Sequence, residues 1–410
     1  MNASEENNIL IGNGFDIQLG GDDFLNKWII VRLLTRAASN DYDELFADKH
    51  GIPSIAGDEI VSLFNGLVNI ANDIRDGNYD SYAQSANDND LDEALLDFKN
   101  RYTHTIATTE EIGMEDWILI IQLYLLSQTD LSNTYEPVKQ GIQRMLLDAI
   151  YCDGNIQRIN INKSVIEYFR AFDHVFTVNY DNSLEKRLKT IPVYHLHGDY
   201  QTKSMSEDEH TANGYLRIQK DESIFFSKKF SHCNCNAILD FSGRRKYQLA
   251  QGATTAYLEF EKIKQRISNG TNNVEEIIHS LPLPQQEIIR VGVEHDLSIG
   301  CNYHFNDLQN LSGTLTIIGL APQNDSHIFE CIDSSMISKV IFYHYFGNQA
   351  KDDIEKQVRK FTIPIKKPYE VRNVDELWNT LKISKPQNST TYMRITPGKG
   401  QKFLSLFNLF

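Results

Sequence analysis

Apolar residues along this chain keep two different periods. Short apolar runs closed by glycine or polar residues alternate with longer stretches whose apolar positions recur at helical spacing. The runs at Asn7–Ile11, Val175–Val178, Pro192–Leu196, Gly313–Leu320 and Lys339–Phe346 read as buried strands. Between the first two, nearly every strong pattern is helical. Ile60, Phe64, Leu67, Val68, Ala71 and Ile74 share one helix face, and the segments around 136–151 and 162–172 repeat the theme. The polar stretch 76–90 reads as an exposed loop.

Strands alternating with helices predict an α/β fold, a Rossmann-like parallel sheet carrying large helical insertions. The sheet domain takes residues 1–23 and 171–370, with an irregular and helical insertion at about 201–311. Residues 24–170 form a helical insertion domain, and 371–410 a C-terminal helix and tail whose apolar tip docks on its own domain or on a neighbour. No internal repeat is visible.

Composition narrows the partners. Forty Lys plus Arg against 55 Asp plus Glu leave a formal charge of -15, which disfavours general adhesion to nucleic acid or anionic membrane and leaves local nucleic-acid contact open. The main basic concentration, Val358 to Arg372, reads as a solvated face. Five cysteines without framework spacing suit a reducing cytoplasm. His232 with Cys233-x-Cys235 is at most half of a metal site, since no second pair follows at ribbon spacing. The polar, acidic start shows no signal peptide, and the longest apolar run, Trp117–Leu126, is too short to span a bilayer, so a cytoplasmic protein is expected.

The polar residues that could carry chemistry gather just after the strands, where the crevice of an open α/β sheet lies. After the first strand comes Gly12-Asn13-Gly14-Phe15-Asp16. A Gly-x-Gly turn lets backbone N–H groups approach a phosphate, although the dinucleotide fingerprint needs a third glycine where this chain has Ile17. After the second strand comes Thr177-Val178-Asn179-Tyr180-Asp181, in which Asn179 can both donate and accept and Asp181 can cap a following helix. The third contributes His195-Leu196-His197-Gly198. An imidazole titrating near neutrality suits a general base, although His195 and His197 alternate onto one strand face and either alone reads more often as a core histidine. Alternate histidines on a strand can also share a metal ion, so metal-dependent hydrolysis through His195 and His197 is an alternative.

These three strand ends, in this order, resemble the sirtuin-like (SIR2) superfamily, and within it the bacterial antiphage-defence branch and the related abortive-infection proteins. The stretch Ile317–Asp325 is similar to that family's late glycine-containing strand end beside the ribose and adenine of NAD. The resemblance implies a sirtuin-like fold and NAD as substrate, with no metal expected. Gly12, Asn13, Gly14, Phe15, Asp16, Thr177, Asp181, Gly319 and Asn324 would line the dinucleotide, with Asn179 and His197 catalytic. Asp181 would border the nicotinamide carboxamide. Asp16 stands where the family often has a hydroxyl residue, and beside phosphate it would be repulsive unless turned away. The family's deacetylases commonly carry a four-cysteine zinc ribbon that this chain lacks, which favours water as acceptor: an NAD glycohydrolase releasing nicotinamide and ADP-ribose, an effector of antiphage defence by NAD depletion. The resemblance further implies a homo-oligomer and a partner ATPase of the HerA type, with no membrane association. A non-catalytic NAD or ADP-ribose binding module is the remaining alternative.

Overall fold

All five apolar runs become strands of one sheet, and a sixth strand joins them. The computed structural model describes residues 5–46, 57–128, 135–202, 211–212, 217–218, 228–269, 274–280, 286, 303–321, 325–361 and 366–386. In chain order the strands are β1 (Asn7–Ile11), β2 (His174–Thr177), β3 (Val193–His195), β4 (Thr211–Ala212), β5 (Arg217–Ile218), β6 (Ser312–Ile318), β7 (Met336–His344) and β8 (Tyr369–Asn373). Strands β4 and β5 form a small antiparallel ladder of their own. The other six make an all-parallel sheet in the order β3-β2-β1-β6-β7-β8. Numbered within that sheet alone, the order is 3-2-1-4-5-6, the doubly wound Rossmann order, and it reverses direction between β1 and β6.

Alternation along each strand feeds two apolar layers, as a sheet covered on both faces requires. Ile9, Ile11, Val175 and Ile318 face one side, where they join Phe15, Phe64, Trp117 and Phe169. Leu10, Phe176, Ile317 and Phe342 face the other, with Phe305, Ile328 and Phe329. The helix Gly57–Arg75 buries five of the six residues expected on its inner face, and Val68 lies at the margin. The helix Met114–Ser127 is buried from Trp117 to Ile121 without a break, and Trp117 packs on Phe64 with ring centroids 4.8 Å apart. Among the described residues, no helix is long and apolar enough to cross a membrane.

Three sequence expectations change. Part of the polar stretch 76–90 is helical, Asp80–Ala86, and Asp88 then caps the helix Asn89–Arg101 by accepting from the backbone N–H of Asp90 at 3.0 Å. Strand β8 carries the sheet past residue 370, inside the basic stretch. Its period was hidden because only Val371 is buried, while Glu370 pairs with Arg372 and Lys339 on the edge. The helix Val374–Thr380 then packs Trp378 against Phe15, so this segment belongs to the sheet domain. Nor is 24–170 a separate body: its apolar side chains share one continuous core with β1. Residues 387–410, including the apolar tip, lie outside the described residues.

Where the order reverses, β1 and β6 end against each other. The Gly12 N–H donates to the Ile318 carbonyl and the Gly14 N–H to the Gly319 carbonyl, both at 2.9 Å. A Cβ on Gly14 would lie 2.7 Å from the Gly319 Cα, and one on Gly319 would lie 2.6 Å from the Phe15 nitrogen. Gly319 also sits at φ +70°, a conformation that disfavours any side chain. Gly319→Ala is expected to lose about 2–3 kcal/mol of stability. Gly66→Ala, at an exposed helix position with nothing within 4 Å, should gain about 0.5–1 kcal/mol. Urea midpoints of the two variants check the pair, and an unchanged midpoint for Gly319→Ala would contradict the close contact.

Candidate functional site

The turn after β1 differs from the phosphate cradle its sequence suggests. The amides of Gly12 and Gly14 are engaged by the end of β6, so neither presents a free donor to a pyrophosphate. The glycines serve the close approach of two backbones, and Gly319 supplies in space the third glycine that the local sequence lacks. Two neighbours also make contacts within the protein. Asn13 donates its side-chain amide to the Phe24 carbonyl at 3.1 Å, and Phe15 is a core residue set edge-on to Phe169. Phe15 is therefore a packing residue, whereas Asn13 stays exposed beside the turn. Asn324 lies outside the described residues.

The remaining predicted residues at this end do converge. Thr177 uses its hydroxyl to accept from the Asn179 N–H at 2.9 Å, and this closes the turn after β2. That turn aims the Asn179 side chain at β1, where its amide donates to the Gly12 carbonyl at 3.2 Å and also reaches Asp16. Asp181 accepts from the Ser183 N–H at 2.7 Å and faces Asp16. Burial raises the Asp16 carboxyl well above its ordinary range, and the charge and hydrogen bond of Asp181 raise it further. Asp181 is raised as well, first by burial. Both shifts have burial as their first cause, and two carboxylates this close and this dry resist ionising together.

His195 closes the acidic end. Its Nδ1 meets the Asn179 carbonyl at 2.8 Å, and its Nε2 pairs with Glu185 from the short helix Glu185–Leu188. Burial opposes its charge, yet Glu185 and the nearby Asp199 outweigh that and raise the imidazole to about 9. His195 is a cation bound to structure, and it does not share a site with His197.

His197 takes a different partner. Its Nε2 lies 3.1 Å from the Nε2 of His327, with the rings stacked, and Phe305 and Tyr247 pack around the pair. Asp325, two residues before His327, completes a buried group whose ligand-type atoms all lie within 4.8 Å of one another. Burial lowers His197 well below its usual range, helped by the charge of Lys246, and the same causes bring His327 down to about 3. Both imidazoles are neutral at physiological pH. Lys246, on the helix Gly243–Ser268, stays charged despite burial because it pairs with Glu115. Burial, then the charge of Glu115, raises Asp325 to about 7. Glu115 and Ser326 also border a small cleft of about 50 Å³ lined by charged residues such as Glu93, Arg101 and Arg244.

A buried loop, Cys233–Asp240, holds His197 in place. The Ile238 N–H donates to the His197 carbonyl at 2.8 Å, and Gly198 at φ +78° passes so close to Asn236 that a Cβ would lie 2.1 Å from its carbonyl oxygen. A loop this dry must satisfy its own carbonyls. Tyr180 donates to Ile238, Tyr303 to Asn236 and Gln143 to Leu239. Within the loop Cys235 is buried, and so is Cys233, whose thiol contacts the Arg144 carbonyl. His232 pairs with Asp148 at 2.8 Å, which leaves no half metal site there.

Sequence reasoning missed Glu115, Glu185, Lys246 and His327. Only Asp325-x-His327 carried a local signal, two potential ligands just beyond a strand end; the others lie on helices where a polar residue looks like surface.

The acidic end predicts a stability cost that function would have to justify. A raised carboxyl pKa contributes stability only at low pH, and the contribution is lost as pH rises above the unfolded value of about 3.9. Asp16→Asn, which keeps the shape and ends the carboxylate conflict, should therefore raise stability at pH 7 by roughly 1 kcal/mol. His195 works through a folded value raised above the unfolded value of about 6.5. Its contribution is complete below pH 6.5 and disappears as pH rises through about 9. Glu185→Gln should flatten that part of the profile, read as urea midpoints from acid to alkaline pH; an unchanged slope would show that the pair carries no linkage. Compared with known families, curated proteins and solved structures, the chain matches none.

Proposed function

We propose that the protein is an NAD glycohydrolase that breaks the nicotinamide–ribose bond and releases nicotinamide and ADP-ribose. The observation that supports this most is the strand order, which reverses between β1 and β6 and leaves Asn179, Asp181 and His197 on the carboxyl ends beside that crevice, where dinucleotides bind in Rossmann sheets. The nicotinamide ring of NAD is cationic and the breaking bond develops positive charge on the ribose. The acidic pair Asp16 and Asp181 suits that charge and would repel a pyrophosphate. The reacting end of the dinucleotide therefore belongs near these acids and the phosphates farther off, not on the engaged amides of Gly12 and Gly14. Asn179, held at Gly12 and Asp16, positions the ribose. His197, neutral at physiological pH, accepts the proton as water adds.

The wider reading rests on the sirtuin-like resemblance alone: a cytoplasmic antiphage effector that depletes NAD, assembles as a homo-oligomer and is controlled by a HerA-type ATPase partner. A second reading, metal-dependent hydrolysis, is favoured by the grouping of His197 with Asp325 and His327, which replaces the His195 and His197 pair suggested by sequence.

Chromatography of NAD incubated with the protein decides between them. Nicotinamide and ADP-ribose are expected, with losses of about 10²-fold or more in Asn179→Ala and His197→Ala and no loss on adding chelator. The acid limb of the rate profile should fall below pH 6.5, because burial lowers His197. Turnover abolished by chelator would establish the metal reading. NAD left intact, both alone and with the ATPase supplied, would leave only a binding module.

A further inference from the structure

We infer that His197, Asp325 and His327 form a binding site for one divalent transition-metal ion of the zinc type. Three observations on different elements carry it. The first is the approach of two imidazole nitrogens: Nε2 of His197 and Nε2 of His327 lie 3.1 Å apart. Two nitrogens each about 2.05 Å from one ion and separated by that distance subtend an angle of about 98° at it, within the range of tetrahedral or distorted sites. The second is the state of His327. Among the described residues its buried Nδ1 finds no hydrogen-bond partner, so none of their contacts satisfies the whole ring in either tautomer. The third is Asp325, which occupies the N-cap position of the helix Ser326–Ser334 yet makes no side-chain capping bond. An aspartate in that place ordinarily accepts from the helix. Here the carboxylate is turned into the group with the two histidines instead.

Two histidines and one carboxylate are a common ligand set for such ions, and three protein ligands leave a further position for water or a substrate oxygen. The ligand atoms lie within 4.8 Å of one another, close to the ~4 Å that two donors each about 2.1 Å from one ion can span. The facing charges permit a cation. Among the described residues Lys246 is the positive group acting on both imidazoles, and its charge is matched by its ion pair with Glu115. The Asp325 carboxylate then remains to offset the ion.

The site does not depend on NAD cleavage, and it bears on it. An ion held by His197 occupies the lone pair that the glycohydrolase reading reserves for a proton, so metal loading and NAD hydrolysis compete at one nitrogen. Zinc should inhibit such an enzyme.

Binding is tested without any activity assay, by titrating the full-length chain with Co2+ and following its visible d–d bands. One equivalent is expected, displaced by Zn2+. Affinity should fall at least ~10-fold in Asp325→Asn, and the bands should vanish in His327→Ala. The exposed His104→Ala serves as a control that leaves both unchanged. His327→Gln replaces the alanine variant if circular dichroism shows the latter unfolded. Absence of bands in the unaltered chain, or bands that persist in both the Asp325 and the His327 variants, would overturn the site, whatever the NAD experiment returns.

Discussion

The contact of Gly12 and Gly14 with Gly319 is the constraint on which the geometry of this protein depends. Two parallel strands that begin oppositely directed halves of a sheet end here backbone to backbone, closed by two amide-to-carbonyl hydrogen bonds of 2.9 Å. Any side chain at these positions would push the halves apart. Because they stay together, the turns after β1, β2, β3 and β6 face one crevice, and polar residues from four distant parts of the chain can meet there. The same contact removes the two amides that the sequence offers for phosphate. Closeness of strands and a free anion cradle are competing uses of one turn, and this chain has taken the first.

Around that contact, burial divides the polar residues into two electrostatic groups. At the β1 and β2 ends, Asp16 and Asp181 are both raised, first by burial, while Glu185 favours the cationic form of His195. Beyond β3 and β6, His197 and His327 are kept neutral, with Asp325 beside them and the Lys246–Glu115 pair adjoining. Two histidines two residues apart in sequence thus end in different charge states. The cause is the neighbour each finds: a carboxylate for His195, and another imidazole near a lysine for His197. Groups whose environments drive their protonation apart mark sites of function more often than of stability.

The sequence showed much of the fold and less of the site. Five of the six sheet strands and the buried helix at Trp117 were legible because each buries an unbroken or regularly spaced apolar set. Strand β8 was not, since an edge strand with one buried residue and alternating charges carries almost no period. The helix Asp80–Ala86 escaped for a similar reason: only Ala83 in it is buried. Among the site residues, Asn179, Asp181 and His197 were found from their place after strands. Phe15 was misread because an aromatic residue at a strand end is equally suited to a ligand or to a core, and only packing against Phe169 and Trp378 separates the two.

By itself the sequence determined five of the six strands of the parallel sheet and the strongly amphipathic or fully buried helices, that the sheet is covered on both faces, and that glycine, asparagine and histidine stand at strand ends. Those properties are local, written in the burial period of neighbouring residues. Only the tertiary structure decided which groups face each other: His197 and His327, 130 residues apart, Glu115 and Lys246 on separate helices, and Gly14 with Gly319. Such pairings follow from the order of strands and the closeness of their ends, which no local pattern encodes.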